Sequence, residues 1–296
     1  MAFLTDDEIH SQPDCWQQAA DMLGEVAGVL PRDGERVAFV GTGTAGYMAQ
    51  SMAALREGAG KGESDAYVAS EFPHTRHYDR IVALTRSGIT TDINRLLRDV
   101  RGRVPTLALL GNFEDALTAE LADEVIDLSF ADEASVVQTR FATTALALTR
   151  AWVGHDLERV VAEAREALQV RLTDDEVDVE QVTYLGQAWT VGLAHEAALK
   201  FRQCARSWSE SYPAMDYRHG PIAVAEPGRM VWLLCPTPYG LAQRIRETGA
   251  TLVECRRDPM AELILTQRLA VGRAMKLGLS PDVPSNLTRS VQHDDD

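Results

Sequence analysis

Residues 36–58 read RVAFV, then GTGTAG, then YMAQSMAALREG. The first five form a short apolar run suited to a buried strand, and the last twelve carry a helical pattern. Between them Gly41, Gly43 and Gly46 make a tight turn. Strand, glycine turn and helix is the building block of an α/β protein, and the block recurs. RIVALT, residues 80–85, runs through RSGITTD into a helix reaching about Val100. A third strand, VPTLALLG, begins at Val104, and a fourth, EVIDLS, ends near Ser129. EASVVQTRFATTALALTRAWVG, residues 133–154, is polar at its start and helical after it. Strands alternating with helices over about Gly34–Gly154 predict a parallel sheet covered on both faces.

Upstream, Asp6 to Leu30 places Trp16, Ala19, Ala20, Leu23 and Val26 at helical spacing and reads as one opening helix, closed by the turn Pro31–Gly34. Downstream, HDLERVVAEAREALQVRL, residues 155–172, is a charged amphipathic helix leading to a second half. There QVTYLG, MVWLLCP and TLVEC read as strands, and the stretches through Lys200 and from Gly240 to Ala250 as helices, with a polar stretch before Tyr212. The expected fold class is α/β, with two doubly wound parallel-sheet subdomains. The expected divisions are a helical segment 1–33, a first domain 34–155, a second domain 156–279 and a tail 280–296. The acidic triplet closing the tail is expected to be disordered.

The composition, 45% apolar and 25% charged over 296 residues, is that of a soluble globular protein. No apolar run is long enough to span a membrane, and the acidic amino terminus lacks a signal pattern, so a cytoplasmic protein is expected. Cys15, Cys204, Cys235 and Cys255 are scattered and read as free thiols, neither disulfides nor a zinc site. A net charge of −15 argues against non-specific nucleic-acid binding, and it requires that any anionic ligand be held by local donors such as backbone N–H groups at helix N-termini.

Three hydroxyl-rich turns follow strands: Thr42-Gly43-Thr44, Thr85-Arg86-Ser87-Gly88-Ile89-Thr90, and the stretch Val136–Thr139. Each offers amides and hydroxyls to a phosphate, or merely caps its helix. GTGTAG matches a dinucleotide fingerprint on paper, but Glu63 and Asp65 fall in what reads as a Gly-rich loop, with no acidic residue closing a second strand; a nicotinamide cofactor is the weaker alternative. Proton-moving groups concentrate in HEAALKFRQCARSWSESYPAMDYRHGP, where Glu196 and Lys200 share a helix face and His219 precedes a Gly-Pro turn. By spacing alone, Glu196 and Lys200 read as a surface ion pair and His219 as a satisfied structural histidine.

In this order the motifs resemble those of the SIS (sugar isomerase) family, in particular the isomerase half of glucosamine-6-phosphate synthase and the stand-alone amino-sugar-phosphate isomerase/deaminases. EIHSQPDCW resembles the opening of the stand-alone members, VGTGTAG the CGTS turn, TRSGITTD the stretch SQSGETAD, and VVQTRFATTAL the stretch VASTKAFTTQL. ASEF at 69–72 matches outright, and HEAALK is shared. SESYPAMDYRHGP resembles AEAYAAGELKHGP, and PSNLTRSV resembles PRNLAKSV. The resemblance implies two SIS-type subdomains and a homodimer in which His219 reaches a neighbouring subunit's site. It implies that Thr85, Ser87 and Thr90 hold a phosphate with Arg86 nearby, and that Thr42, Gly43, Val136 and Gln138 line the sugar. Glu196 and His219 would assist ring opening, Lys200 would contact C1 or its oxygen, and Thr288 and Arg289 would belong to a lid. No metal or organic cofactor is implied.

Four departures qualify this. Gln203 stands where the isomerases have the glutamate that moves a proton between C2 and C1, and an amide is no base near neutral pH. Gln138 replaces a serine, Arg86 a glutamine and Arg289 a lysine. A glutaminase domain is absent from this sequence, so a synthase is not expected. Three readings stay open: an isomerase/deaminase acting on glucosamine 6-phosphate or a relative; a lyase dehydrating N-acetylglucosamine 6-phosphate across C2 and C3; and a regulatory module that binds a sugar phosphate without turnover.

Overall fold

A computed structural model describes residues 3–292; the acidic triplet, 294–296, lies outside the described residues. The chain forms two compact units, one of Asp14–Leu157 with the segment from Leu287, the other of the residues up to Pro13 with Glu158–Asn286.

The amino-terminal stretch holds three short helices, α1 (Leu4–His10), α2 (Gln12–Asp21) and α3 (Leu23–Val26), where the sequence reads as one. Pro13 is the cause of the first break: it has no N–H to give a preceding turn, and a proline fits the first turn of a new helix. The chain changes unit at that break. Ahead of it, the backbone N–H groups of Leu4 and Thr5 donate to the Asp282 carboxylate at 3.0 and 2.8 Å, and Gln12 Nε2 donates to Gln267 Oε1 at 2.7 Å. Behind it, Trp16 is buried and its Nε1 donates to Thr143 Oγ1 at 2.9 Å. The boundaries expected at residues 33 and 280 thus differ from the divisions at 13/14 and 286/287.

The first unit continues as β1 (Val37–Gly41), α4 (Thr44–Gly58), β2 (Ser64–Val68), β3 (Arg80–Thr85), α5 (Thr91–Val100), β4 (Thr106–Leu110), α6 (Leu117–Leu121), β5 (Glu124–Asp127) and α7 (Arg140–Trp152). Its five strands are parallel in the order β2-β1-β3-β4-β5. α5 packs Ile93, Leu96, Leu97 and Val100 onto Ala38, Val40, Ile81 and Ala83 of the central strands. Glu63 and Asp65 do not lie in one loop: Asp65 is inside β2. That strand closes on Val68, and Asp65 accepts hydrogen bonds from Tyr78 and Arg76 at 2.7 and 3.1 Å.

The second unit holds α8 (Leu157–Gln169), α9 (Asp174–Val177), β6 (Gln181–Gly186), α10 (Thr190–Ala205), β7 (Trp208–Pro213), β8 (Met230–Leu233), α11 (Leu241–Glu247), β9 (Thr251–Val253) and α12 (Pro259–Lys276). Its strands are parallel in the order β7-β6-β8-β9, the winding of the first sheet with one strand fewer. The polar stretch before Tyr212 runs into the edge strand β7. Two α/β subdomains with doubly wound parallel sheets are therefore the observed architecture.

The two sheets share a device. A Cβ on Gly41 would lie 2.5 Å from the Ala45 carbonyl carbon, and one on Gly186 would lie 2.2 Å from the Thr190 carbonyl oxygen. Each first strand therefore ends in a glycine because the following helix backs onto it. Gly186→Ala is expected to lower stability by about 1–3 kcal/mol or more, since backbone and not a flexible side chain must yield. A urea midpoint unchanged from the parent would contradict this. Among the described residues no helix is long and apolar enough to cross a membrane.

Candidate functional site

In an open α/β sheet, ligands bind outside the carboxyl ends of the strands, where the strand order reverses. In the five-stranded unit that point lies between β1 and β3, whose ends run into the turns at Thr42 and Ser87. Of the three hydroxyl-rich turns, the Ser87 turn leaves the most donors open. Thr90 is the N-cap residue of α5, yet its side chain makes no capping bond. Among the described residues, no hydrogen bond takes the backbone N–H of Ser87, Gly88 or Thr90. Gly88 sits at φ +67°, and a Cβ there would meet Ala116 Cβ at 2.5 Å, so both the backbone and the space call for glycine. Thr85 is buried at the end of β3 and Ser87 is half-buried. These donors surround the positive end of the α5 dipole.

The turn at Thr42 is looser. Thr42 is half-buried and its carbonyl accepts from the Ala45 N–H at 3.1 Å; Gly43, at φ +54°, lines a groove along α4 and β2. The third turn is closed to anions at its helix. The buried Glu133 carboxylate already occupies the α7 N-terminus: Oε1 accepts from the N–H groups of Thr139 and Arg140 and from the Thr139 hydroxyl at 2.8 Å, and Oε2 from the Phe141 N–H at 3.3 Å. Val136 and Gln138 are half-buried in this turn, and among the described residues the buried Gln138 Oε1 has no hydrogen-bond partner.

Arg86 does not point its guanidinium at the Ser87 turn. It is 1% exposed, and Nη1 donates to the Ser135 carbonyl at 2.9 Å and Nη2 to the Arg289 carbonyl at 2.8 Å. The carboxy-terminal segment lies against the turn: Ser290 Oγ is 3.0 Å from Ser87 Oγ, and the Thr91 N–H donates to the Val291 carbonyl at 3.4 Å. Thr288 donates to the Ser290 carbonyl at 2.9 Å, and Arg289 spans both oxygens of Asp132. A cavity of about 400 Å³ remains, lined by Ser87, Ile89, Thr288, Arg289, Ser290 and Gln292 among others.

The four-stranded unit holds the proton-moving groups on α10. Glu196 and Lys200 form an ion pair at 3.1 Å with side chains 0% and 1% exposed. The surface ion pair expected from spacing is therefore a buried one, because α10 lies between the sheet and α12 and both residues face inward. Taking two charges out of water is costly and weak evidence for a purely stabilising role. Gln203 Oε1 accepts from Lys200 Nζ at 2.8 Å, so one ammonium is held by a carboxylate and an amide. Neighbouring His195 bonds Ser211 Oγ through Nδ1 at 2.8 Å, and burial, then Arg202, holds its imidazole below the usual histidine range. His219 is not a satisfied structural histidine: it is exposed beyond β7, and it makes no hydrogen bond or ion pair among the described residues.

All four thiols are free; three are buried and Cys255 is half-buried. Burial pushes Cys204 up to about 12, Cys235 to about 11 and Cys255 to about 12, which leaves no thiolate nucleophile near neutral pH. No group of three or more His, Cys, Asp or Glu able to hold a metal stands together among the described residues.

The sequence reading did not single out Glu133, Asp132, Ser290 or His195. Three of these act through partners distant in sequence, which no local pattern announces.

No protein-family model matches the chain. A curated relative, glutamine–fructose-6-phosphate aminotransferase [isomerizing] of Methanothermobacter thermautotrophicus, is 25% identical over 333 residues, covering 96% of this chain and 56% of the relative. The chain thus spans about half the length of the curated relatives it matches. Among solved structures, glucosamine-6-phosphate deaminase from Thermotoga maritima superposes with a TM-score of 0.81 at 22% identity, covering 97% of this chain and 99% of that one. The C-terminal domain of glucosamine-fructose-6-phosphate aminotransferase from Francisella tularensis gives 0.81 at 18% identity, covering 96% and 99%. The SIS resemblance carried by the motifs stands: the relatives in sequence are isomerising aminotransferases, and the neighbours in fold include phosphosugar enzymes.

Proposed function

We propose, on the premise of that SIS resemblance, that the chain is an amino-sugar 6-phosphate enzyme of the aldose-ketose isomerase/deaminase type, active on glucosamine 6-phosphate or a close relative. The observation that carries the reading is the buried Glu196–Lys200 pair on α10. The Ser87 turn receives the phosphate through its open amides and the hydroxyls of Thr85, Ser87 and Thr90. Glu196 exchanges protons with the opened sugar. Lys200 faces the oxygen at C1, where its charge favours the enolate formed when C2 loses its proton. His219 assists ring opening. Moving the C2 proton to C1 turns a 2-amino aldose into a ketimine. Hydrolysis of that ketimine takes up one water and releases ammonia and the ketose phosphate. The relatives named above support a sugar-phosphate substrate.

A second reading, a lyase acting on N-acetylglucosamine 6-phosphate, is favoured by Gln203. Its amide oxygen is engaged by Lys200 and has no basicity to shuttle a proton between C2 and C1. Elimination needs only a base at C2 and an acid that lets the C3 hydroxyl leave as water, giving an unsaturated sugar phosphate.

One experiment separates the readings. The chain is incubated with glucosamine 6-phosphate and, separately, with its N-acetyl form, and the products are followed by mass spectrometry and an ammonia assay. Ammonia with ketose phosphate supports the isomerase/deaminase; loss of one water supports the lyase. Calorimetric binding with both substrates unchanged would overturn both in favour of a regulatory module.

A further inference from the structure

We infer that Asp132 and Arg86 are positioning residues that hold the carboxy-terminal segment, residues 287–292, in place as a wall of the phosphate cavity before any ligand arrives; this rests on the reading of the Ser87 turn as the phosphate site. The segment is gripped at one residue from two sides. The Arg289 side chain reaches both Asp132 oxygens, at 3.1 and 3.0 Å, and the Glu133 carbonyl at 2.6 Å. The Arg289 main-chain carbonyl accepts from Arg86 Nη2 at 2.8 Å, while Nη1 of the same guanidinium holds the Ser135 carbonyl at 2.9 Å. The loop before α7, the end of β3 and the carboxy-terminal segment are thus tied by two guanidinium groups.

The two residues that make this tie are departures from the SIS motifs, which carry glutamine and lysine there. At position 86 a glutamine offers one amide nitrogen in place of the planar fork whose two nitrogens reach two carbonyls, and at position 289 all three contacts come from Nη2. The consequence reaches the cavity, because the segment's Thr288, Arg289, Ser290 and Gln292 share its lining with Ser87 and Ile89. A wall already in place spares the ligand the entropy of ordering it.

The test uses the full chain, D132N and R86Q. Affinity for inorganic phosphate is measured by calorimetry, and release of the peptide Ser290–Asp296 by trypsin, which cuts after Arg289, by mass spectrometry. Asp132 is only partly buried, so D132N keeps the test valid if R86Q fails to fold. Removing a charge-assisted pair is expected to weaken phosphate binding roughly tenfold and to speed peptide release by a similar factor. Release from the parent should quicken with added salt while D132N responds little. Unchanged release in D132N overturns the inference, and so does faster release with unchanged phosphate affinity. If the parent binds no phosphate, the reading of the Ser87 turn fails. The peptide-release arm then decides the clamp alone: faster release in D132N supports it, and an unchanged rate overturns it.

Discussion

Replacing Glu196 by glutamine is expected to lower stability by about 3–5 kcal/mol and turnover by a factor on the order of 10²–10⁴. The first figure follows from burial. Lys200 is 1% exposed and its ammonium would face the Gln203 amide oxygen and a neutral amide in place of the carboxylate. A buried charge stripped of its counter-charge costs far more than the intact pair contributes. The second figure is the loss of a general acid/base. The two effects are separable by the double substitution Glu196→Gln with Lys200→Met. Removing both charges should return much of the lost stability, because an apolar side chain of similar volume no longer needs a partner. It should return none of the turnover. Urea midpoints and product assays on the three proteins check this; a Glu196→Gln variant as stable as the parent would refute the burial argument.

Gln203→Glu is expected to raise aldose-ketose interconversion by a factor on the order of 10²–10⁴, the worth of a positioned general base. The geometry for it is in place. Gln203 Oε1 lies 2.8 Å from Lys200 Nζ, so a carboxylate there would inherit a cationic partner. It would also face Glu196 across the same ammonium, and two carboxylates sharing one cation hold a proton between them more readily than either alone. Such a group suits transfer between adjacent carbons. The measurement is ketose phosphate and ammonia formed per unit time from glucosamine 6-phosphate, parent against variant. A folded Gln203→Glu chain that forms neither product faster than the parent would remove Gln203 as the reason for any shortfall and weaken the isomerase reading.

The central strands were readable because parallel strands buried on both faces are continuous apolar runs. β1 and β3 fall within a residue of the stretches RVAFV and RIVALT. Two of the four edge strands, β5 and β9, were readable as EVIDLS and TLVEC, but β2 and β7 were not. β2 is SDAYV, partly buried along most of its length, and β7 is WSESYP with an exposed tryptophan; a strand with one open side needs few apolar residues and resembles a loop. The ordered approach to β2 depends on Arg56, a fully buried arginine whose guanidinium binds the carbonyls of Arg32, Gly62 and Glu63, a long-range tie with no local pattern. α12, eighteen residues long, was not anticipated: its buried residues surround the helix axis and leave no amphipathic period. In the site, the i,i+4 spacing of Glu196 and Lys200 identified the pair. Whether it faced solvent or core depended on how α10 meets α12, which spacing does not encode. Arg86 illustrates the same limit. The resemblance implied that Arg86 lies near the phosphate, and only the fold shows its guanidinium bonding the Ser135 and Arg289 carbonyls.

Glu133 has a bearing on ligand choice. By seating its own carboxylate on the amides at the start of α7, the five-stranded unit fills one of its helix N-termini from within, while the start of α5 stays open. On the reading proposed above, a sugar bearing one phosphate would have its berth there. A bisphosphorylated sugar whose second group reached α7 would meet the Glu133 carboxylate, and buried like charges repel strongly. Under that reading the seated carboxylate would favour monoesters over diphosphorylated sugars.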